Sequence, residues 1–243
     1  MSYDIAICVG PIPPSDQQAW RELDALIDEK GTAAPVFHEL VTQLTARFPD
    51  DDDHADDSIW SLLPIRHCVG HRATVLNMRH RNAHEAVPAI VETAKNMGLV
   101  VFDWQTAQIL RPDGIKGLLL TVESKPVLKD PTLEQIAEAV DQLTTETPPT
   151  FVILEGRGED YTQAASRGIG YVAEWRLHLG GKVKHLAARV REAKAQVDAQ
   201  SPMTESGNEY VSNSDVKQIM GAYARGENPP DQFAWQDMTA VFN

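Results

Sequence analysis

Apolar and polar positions along the chain change period several times, and each change marks an element. Tyr3-Asp-Ile-Ala-Ile-Cys-Val9 is a short run apolar enough for a central strand, closed by Gly10-Pro-Ile-Pro-Pro14. Trp20, Leu23, Leu26 and Ile27 then recur at helical spacing behind Ser15, an N-cap with Gln18 three residues on. A second helical stripe, Val36, Phe37, Leu40, Leu44 and Phe48, predicts a helix from about Ala34 to Phe48, stopped by Pro49. Ala73–Met78 reads as a strand. Asn82 is placed to cap a helix over Ala83–Met97, with Val87, Ile90, Val91 and Ala94 inward, and Leu99–Phe102 reads as the next strand, with 106–109 beside it. The order β-α-α-β-α-β describes an α+β unit whose expected end is near Lys129.

The second half has a different rhythm. Thr132-Leu-Glu-Gln135 is a capping-box opening for a helix to about Leu143. Three strands follow in close succession: Phe151–Leu154, Tyr161–Ala164 and Tyr171–Arg176. They are separated by the glycine-containing turns at Gly156, Gly158, Gly168 and Gly170. Such tight connections favour an antiparallel meander. Gly180-Gly181 turns the chain into a fourth strand from Lys182 to Val190. Local signals conflict there, because 186–199 also has high helix propensity; a strand that becomes helical after Arg191 is the preferred reading. A polar loop over 201–212 leads to a last helix over 215–224, capped by Asn213 or Ser214, and Phe233-Ala-Trp235 packs aromatics back on the body. The expected fold class is therefore α+β: two small domains, 1–129 and 130–243, each a mainly antiparallel sheet covered by helices.

Composition narrows the function. The chain carries a net charge of -13 over its 243 residues, which disfavours nucleic acid as the main partner, since phosphate binding needs clustered Lys and Arg. The charge is uneven. Residues 1–65 hold thirteen acids against Arg21, Lys30 and Arg47, whereas 66–81 hold Arg66, Arg72, Arg79 and Arg81 and no acid. The two cysteines, Cys8 and Cys68, are too few for a disulfide framework, so a reducing cytoplasm is expected. Met1–Asp4 lacks a basic segment and Ile5–Val9 is short for a signal-peptide core, so no signal peptide is expected. No apolar run approaches the roughly 20 residues of a membrane helix.

Candidate chemistry is sparse. His67, Cys68, His71, His80 and His84 match no tight zinc spacing and lie among arginines, so a polar surface is preferred and no metal is expected. The run 50–57 lacks the sixth-position glycine of a calcium loop and places Ser61 at the twelfth position. Neither Gly156-Arg-Gly158 nor Gly168-Ile-Gly170 opens a helix, so neither is a phosphate loop. Glu174 and Arg176 share a strand face and are placed to form an ion pair. Glu155, Asp160 and Glu174 are the one carboxylate set that an enzyme site would draw on. No serine or cysteine occupies a nucleophile context.

FVILEGRGEDYTQAA (151–165), GYVAEWR (170–176), a helix ending in Ala222-Tyr-Ala-Arg-Gly226, and Phe233-Ala-Trp235 together resemble the immunity proteins of bacterial polymorphic toxin systems. The likeness covers about 95 residues of the C-terminal half; the N-terminal half is more vaguely similar to small acidic domains of such toxin loci. The long segment 189–212 departs from that pattern. The resemblance implies a non-enzymatic protein that binds and blocks a cognate toxin in the cytoplasm by covering a basic active-site surface. The expected contacts are Asp50, Asp51, Asp52, Asp53, Asp56, Asp57 and Trp60 in the first half, and Tyr161, Gln163, Glu174 and Arg176 in the second. No cofactor, nucleic acid or membrane enters this reading, and a homodimer stays open. The alternatives are a small hydrolase or transferase using the clustered carboxylates, and a regulatory or scaffold module.

Overall fold

The computed structural model describes residues 2–50, 58–179, 181–190 and 210–241. The chain divides into two compact units, Met1–Gly114 and Ile115–Asn243. Its helices and two antiparallel sheets make it an α+β protein.

In the first unit, β1 (Ser2–Cys8) is flanked on both sides, by β2 (Ala73–Arg79) and β3 (Val100–Asp103), and β4 (Gln108–Leu110) completes the order β2-β1-β3-β4. Its uninterrupted apolar run follows from burial on both faces. Ile5 and Ile7 pack with α2 (Pro35–Arg47) and α3 (Ala83–Asn96), while Ala6 and Cys8 pack with α1 (Asp16–Asp28). Burial pushes the Cys8 thiol up to about 12, with Arg72 pulling weakly the other way, so it is a core residue and not a nucleophile. Ser15 caps α1 by accepting from the Gln18 amide at 3.3 Å. Asn82 does not cap α3 through its side chain; a 3-10 turn, His80–Asn82, leads the chain into that helix instead.

The second unit is built on a seven-stranded antiparallel sheet, in the order β11-β10-β9-β8-β7-β5-β6. Its strands are β5 (Leu119–Val122), β6 (Leu128–Lys129), β7 (Phe151–Arg157), β8 (Asp160–Ser166), β9 (Tyr171–Leu179), β10 (Lys182–Val190) and β11 (Phe233–Asp237). Helices α4 (Leu133–Asp141) and α5 (Asn213–Arg225) contribute to the same core. The expected boundary at 129 is therefore too late. Residues 115–129 belong to the second unit, because β5 pairs with β7 from Leu119↔Glu155 to Val122↔Val152 and buries Leu118, Leu120 and Val122 in its core. That pairing spans some thirty residues of sequence, so no local periodicity announces it.

One further difference has the same kind of cause. β10 stays extended to Val190 despite its helix propensity, because it is paired by β9 on one side and β11 on the other. The helical character expected after Arg191 falls outside the described residues. The last helix starts earlier than expected: Ser212, not Asn213 or Ser214, is the cap, and it exchanges capping-box bonds with Asp215.

The box at α4 is as expected. Thr132 Oγ1 accepts from the Gln135 amide at 3.2 Å, and Gln135 Oε1 accepts from the Thr132 amide at 2.9 Å. Thr132→Ala is expected to cost about 1 kcal/mol, the usual loss of a buried N-cap. The measurement is a shift of the C-terminal unit's urea midpoint; an unchanged midpoint would mean that packing alone holds this helix.

Candidate functional site

Strand pleating gives the C-terminal sheet two unlike faces. One is formed by Val152, Leu154, Thr162, Ala164, Ala173, Trp175, Leu177 and Ala188, all buried. It is covered by α4 and α5, with Trp175 edge-on to Tyr223 at 5.4 Å and to Trp235 at 6.1 Å. Tyr223 closes this side by donating its hydroxyl to the Asp160 carbonyl at 2.6 Å.

The alternate residues form the other face, opposite the one that packs against α4 and α5. Ile153, Tyr161, Gln163, Val172, Glu174, Arg176 and His185 lie there, each half-buried. The register sets them in rows across the strands. Tyr161 stands between Glu155 and Arg176, and Arg176 is also opposite His185. In the next row Gln163 stands between Ile153 and Glu174, and Glu174 is also opposite Ala187. Tyr161, Gln163, Glu174 and Arg176, four of the residues singled out above, are therefore a contiguous two-by-two block.

Their contacts show how rigid that block is. Arg176 Nη1 donates to the Glu159 carbonyl at 2.8 Å, and Nη2 lies 3.1 Å from the Glu159 carboxylate. The guanidinium carbon sits 5.9 Å from the centre of the Tyr161 ring. His185 meets the same ring edge-on at 6.4 Å. Burial raises the Tyr161 phenol above its ordinary value, the Glu174 charge adds to this and Arg176 opposes it, so Tyr161 presents a neutral hydroxyl at physiological pH. Gln163 Nε2 donates to Glu174 Oε2 at 2.6 Å. The expected Glu174–Arg176 ion pair is thus not made. The turn after β7 brings Glu159 to the arginine, while the cross-strand amide takes Glu174.

Beside Glu174 the face dips into a groove of about 260 Å³, lined among others by Phe151, Gln163, Ala165, Arg167, Val172 and Glu174. Of the carboxylates proposed for an enzyme site, Glu174 lines this groove and Glu155 and Asp160 do not. Asp160 Oδ1 is 2.6 Å from His178 Nδ1, and Glu155 is exposed. The three thus have separate surroundings.

The N-terminal candidates fare differently. Trp60 is fully buried, which corrects its assignment as a contact residue. Its indole Nε1 donates to the Phe48 carbonyl at 3.0 Å, and its ring packs edge-on to Phe48 at 6.3 Å. Asp50 is half-buried, its Oδ2 accepting from the Ile65 amide at 2.9 Å, so this first residue of the acidic run is held by the backbone fifteen residues on. Asp51, Asp52, Asp53, Asp56 and Asp57 lie outside the described residues. His71 is held by the Thr32 carbonyl at 2.7 Å and lies 3.5 Å from Glu29. Among the described residues no three His, Cys, Asp or Glu side chains are grouped to hold a metal ion, and no helix is long and apolar enough to cross a membrane.

Sequence reasoning missed Phe151, Glu159, Arg167, Val172, His178 and His185 as neighbours of the block. Only strand alternation hinted at them, and the partner of each depends on the register of strands. Compared with known protein families, with curated proteins and with solved structures, the chain matches none of them.

Proposed function

We propose that this chain is an immunity protein, which binds a cognate toxin through the open face of its C-terminal sheet and covers the toxin's active site. The observation that carries the reading is the two-by-two block of Tyr161, Gln163, Glu174 and Arg176. Two of the segments that resemble immunity proteins, 151–165 and 170–176, lie side by side there, on the face opposite α4 and α5. A clamped arginine stacked on a tyrosine is the kind of pre-ordered pair that dominates protein interfaces, because little side-chain entropy remains to be lost on binding. The acidic run 50–57 adds long-range attraction for a basic toxin surface. Such a protein acts in the cytoplasm of the producing cell, without cofactor or catalysis. The enzymatic alternative draws less support, since Glu155, Asp160 and Glu174 have separate surroundings.

The test is a pull-down from the native bacterium's lysate with the tagged chain, followed by expression of the captured protein alone and together with the chain. A stoichiometric partner that is toxic alone and silenced by the chain is expected. Tyr161→Ala and Arg176→Ala should each weaken that complex by about 30-fold, as loss of about 2 kcal/mol at a hot spot does. Circular dichroism should report an unchanged fold. If no toxic partner is recovered, or if both variants bind it with full affinity, the reading is wrong.

A further inference from the structure

The groove beside Glu174 specifies part of the partner. We infer that it receives a cationic side chain, lysine or arginine, from the bound protein, an inference that rests on the open face being the binding surface. Glu174 is half-buried, and its only side-chain hydrogen bond among the described residues is the one from Gln163, which occupies Oε2. Among the described residues no cation is within ion-pairing distance of it. Arg176, two residues along the same strand, is committed to the side chain and backbone of Glu159. Arg167, four residues past the Gln163 that faces Glu174, lines the groove as well, but it is exposed and makes no ion pair with Glu174. On its other side Glu174 faces Ala187, which supplies no polar group.

A carboxylate that is partly withdrawn from water and lacks a counter-charge costs free energy that an incoming cation recovers. The walls favour the same occupant. Phe151, Ala165 and Val172 offer apolar surface to an aliphatic stem, Glu174 and the Gln163 amide present polar atoms to its charged head, and Arg167 and Thr150 complete the lining. At about 260 Å³ the groove has room for roughly nine waters at about 30 Å³ each, which is enough for one long side chain. An anionic side chain would meet the Glu174 charge, and a purely apolar one would leave it uncompensated.

The experiment uses the full chain and N-acetylated amides of arginine, lysine, methionine and glutamate as probes, read by backbone amide NMR shifts. Arginine and lysine amides should move Gln163, Ala165, Val172 and Glu174 with millimolar affinity, and the methionine and glutamate amides should not. Glu174→Gln keeps the volume and an oxygen to accept from Gln163 but removes the charge. It should weaken both the cationic probes and the captured toxin about tenfold. Equal binding of the methionine amide, absence of shifts with the cationic amides, or full toxin affinity in Glu174→Gln would each overturn the inference. If the toxin still depends on Tyr161 and Arg176 while Glu174→Gln is silent, the anchor fails and the binding face stands. If those two variants are silent as well, the broader function fails.

Discussion

Trp60→Ala is expected to destabilise the N-terminal unit by about 3–5 kcal/mol, the range found when a large aromatic is cut out of a packed core. The indole is fully buried, and it packs edge-on to Phe48 at 6.3 Å within the cluster that includes Ile5, Ile7, Leu76 and Met78. Three losses combine. The ring's apolar area returns to water on unfolding no longer, a cavity opens that the flanking strands are too well paired to fill, and the Phe48 carbonyl loses the 3.0 Å bond from Nε1. Trp60→Phe should lie between wild type and alanine, because it restores most of the ring and not the donor. Amide exchange of Ile5–Ile7 measures this directly, since those amides open with the sheet core. Unchanged protection in Trp60→Ala would mean that the residue is not part of the core. If toxin binding falls while protection is unchanged, Trp60 would return as a contact residue.

Gly156→Val is expected to cost the C-terminal unit about 3–5 kcal/mol, through backbone strain and overpacking together. Gly156 sits where the β7–β8 register shifts between Glu155 and Arg157, and its φ of 133° is a conformation that L-residues rarely adopt. A Cβ there would stand 1.9 Å from the Gly117 carbonyl oxygen, a backbone atom that cannot swing aside. Gly158 is the matched control. Its φ is also positive, at 70°, but an added Cβ meets nothing within 4 Å, so Gly158→Ala should cost only about 1 kcal/mol. Amide exchange of β7 and β8 in the two variants reads the difference. Because β7 and β8 carry the proposed binding face, Gly156→Val should also abolish capture of the proposed partner, whereas Gly158→Ala should keep it. Equal stability of the two variants would show that the strand relaxes around the new side chain, and that the bulge is not held by Gly117.

Both predictions concern residues whose type was plain in the sequence and whose role was not. Trp60 sits in the apolar tract 59–64 just after an acidic run, and the sequence alone left it a core or an interface aromatic. Only the packing of Phe48 and Met78 against it makes it a core residue. Glu174 and Arg176 read as an ion pair because they share a strand face. Instead the cross-strand amide of Gln163 bonds Glu174 at 2.6 Å, and the turn residue Glu159 meets Arg176 at 3.1 Å. The same ordering explains the acidic residues. Their loop is a local property of composition, while Asp50 becomes an anchor only because the Ile65 amide is brought to it.

What the amino-acid sequence determined by itself was everything that depends on near neighbours. Helical stripes, the capping box at Thr132, the glycine turns and the alternation of β7 to β9 place each element within a few residues, because period, cap and turn are set by contacts a few positions apart. That alternation also put Glu174 and Arg176 on one face of their strand, while the register of β8 against β9 brought Tyr161 and Gln163 beside them. What only the tertiary structure decided depends on pairing between distant segments. This includes the recruitment of β5 and β6 to the second sheet, the extended conformation of β10 against its helix propensity, the burial of Trp60, and the partner of each charged group on the open face. Strand register and packing fix those outcomes, and a register is a relation between two stretches of chain that neither stretch encodes alone.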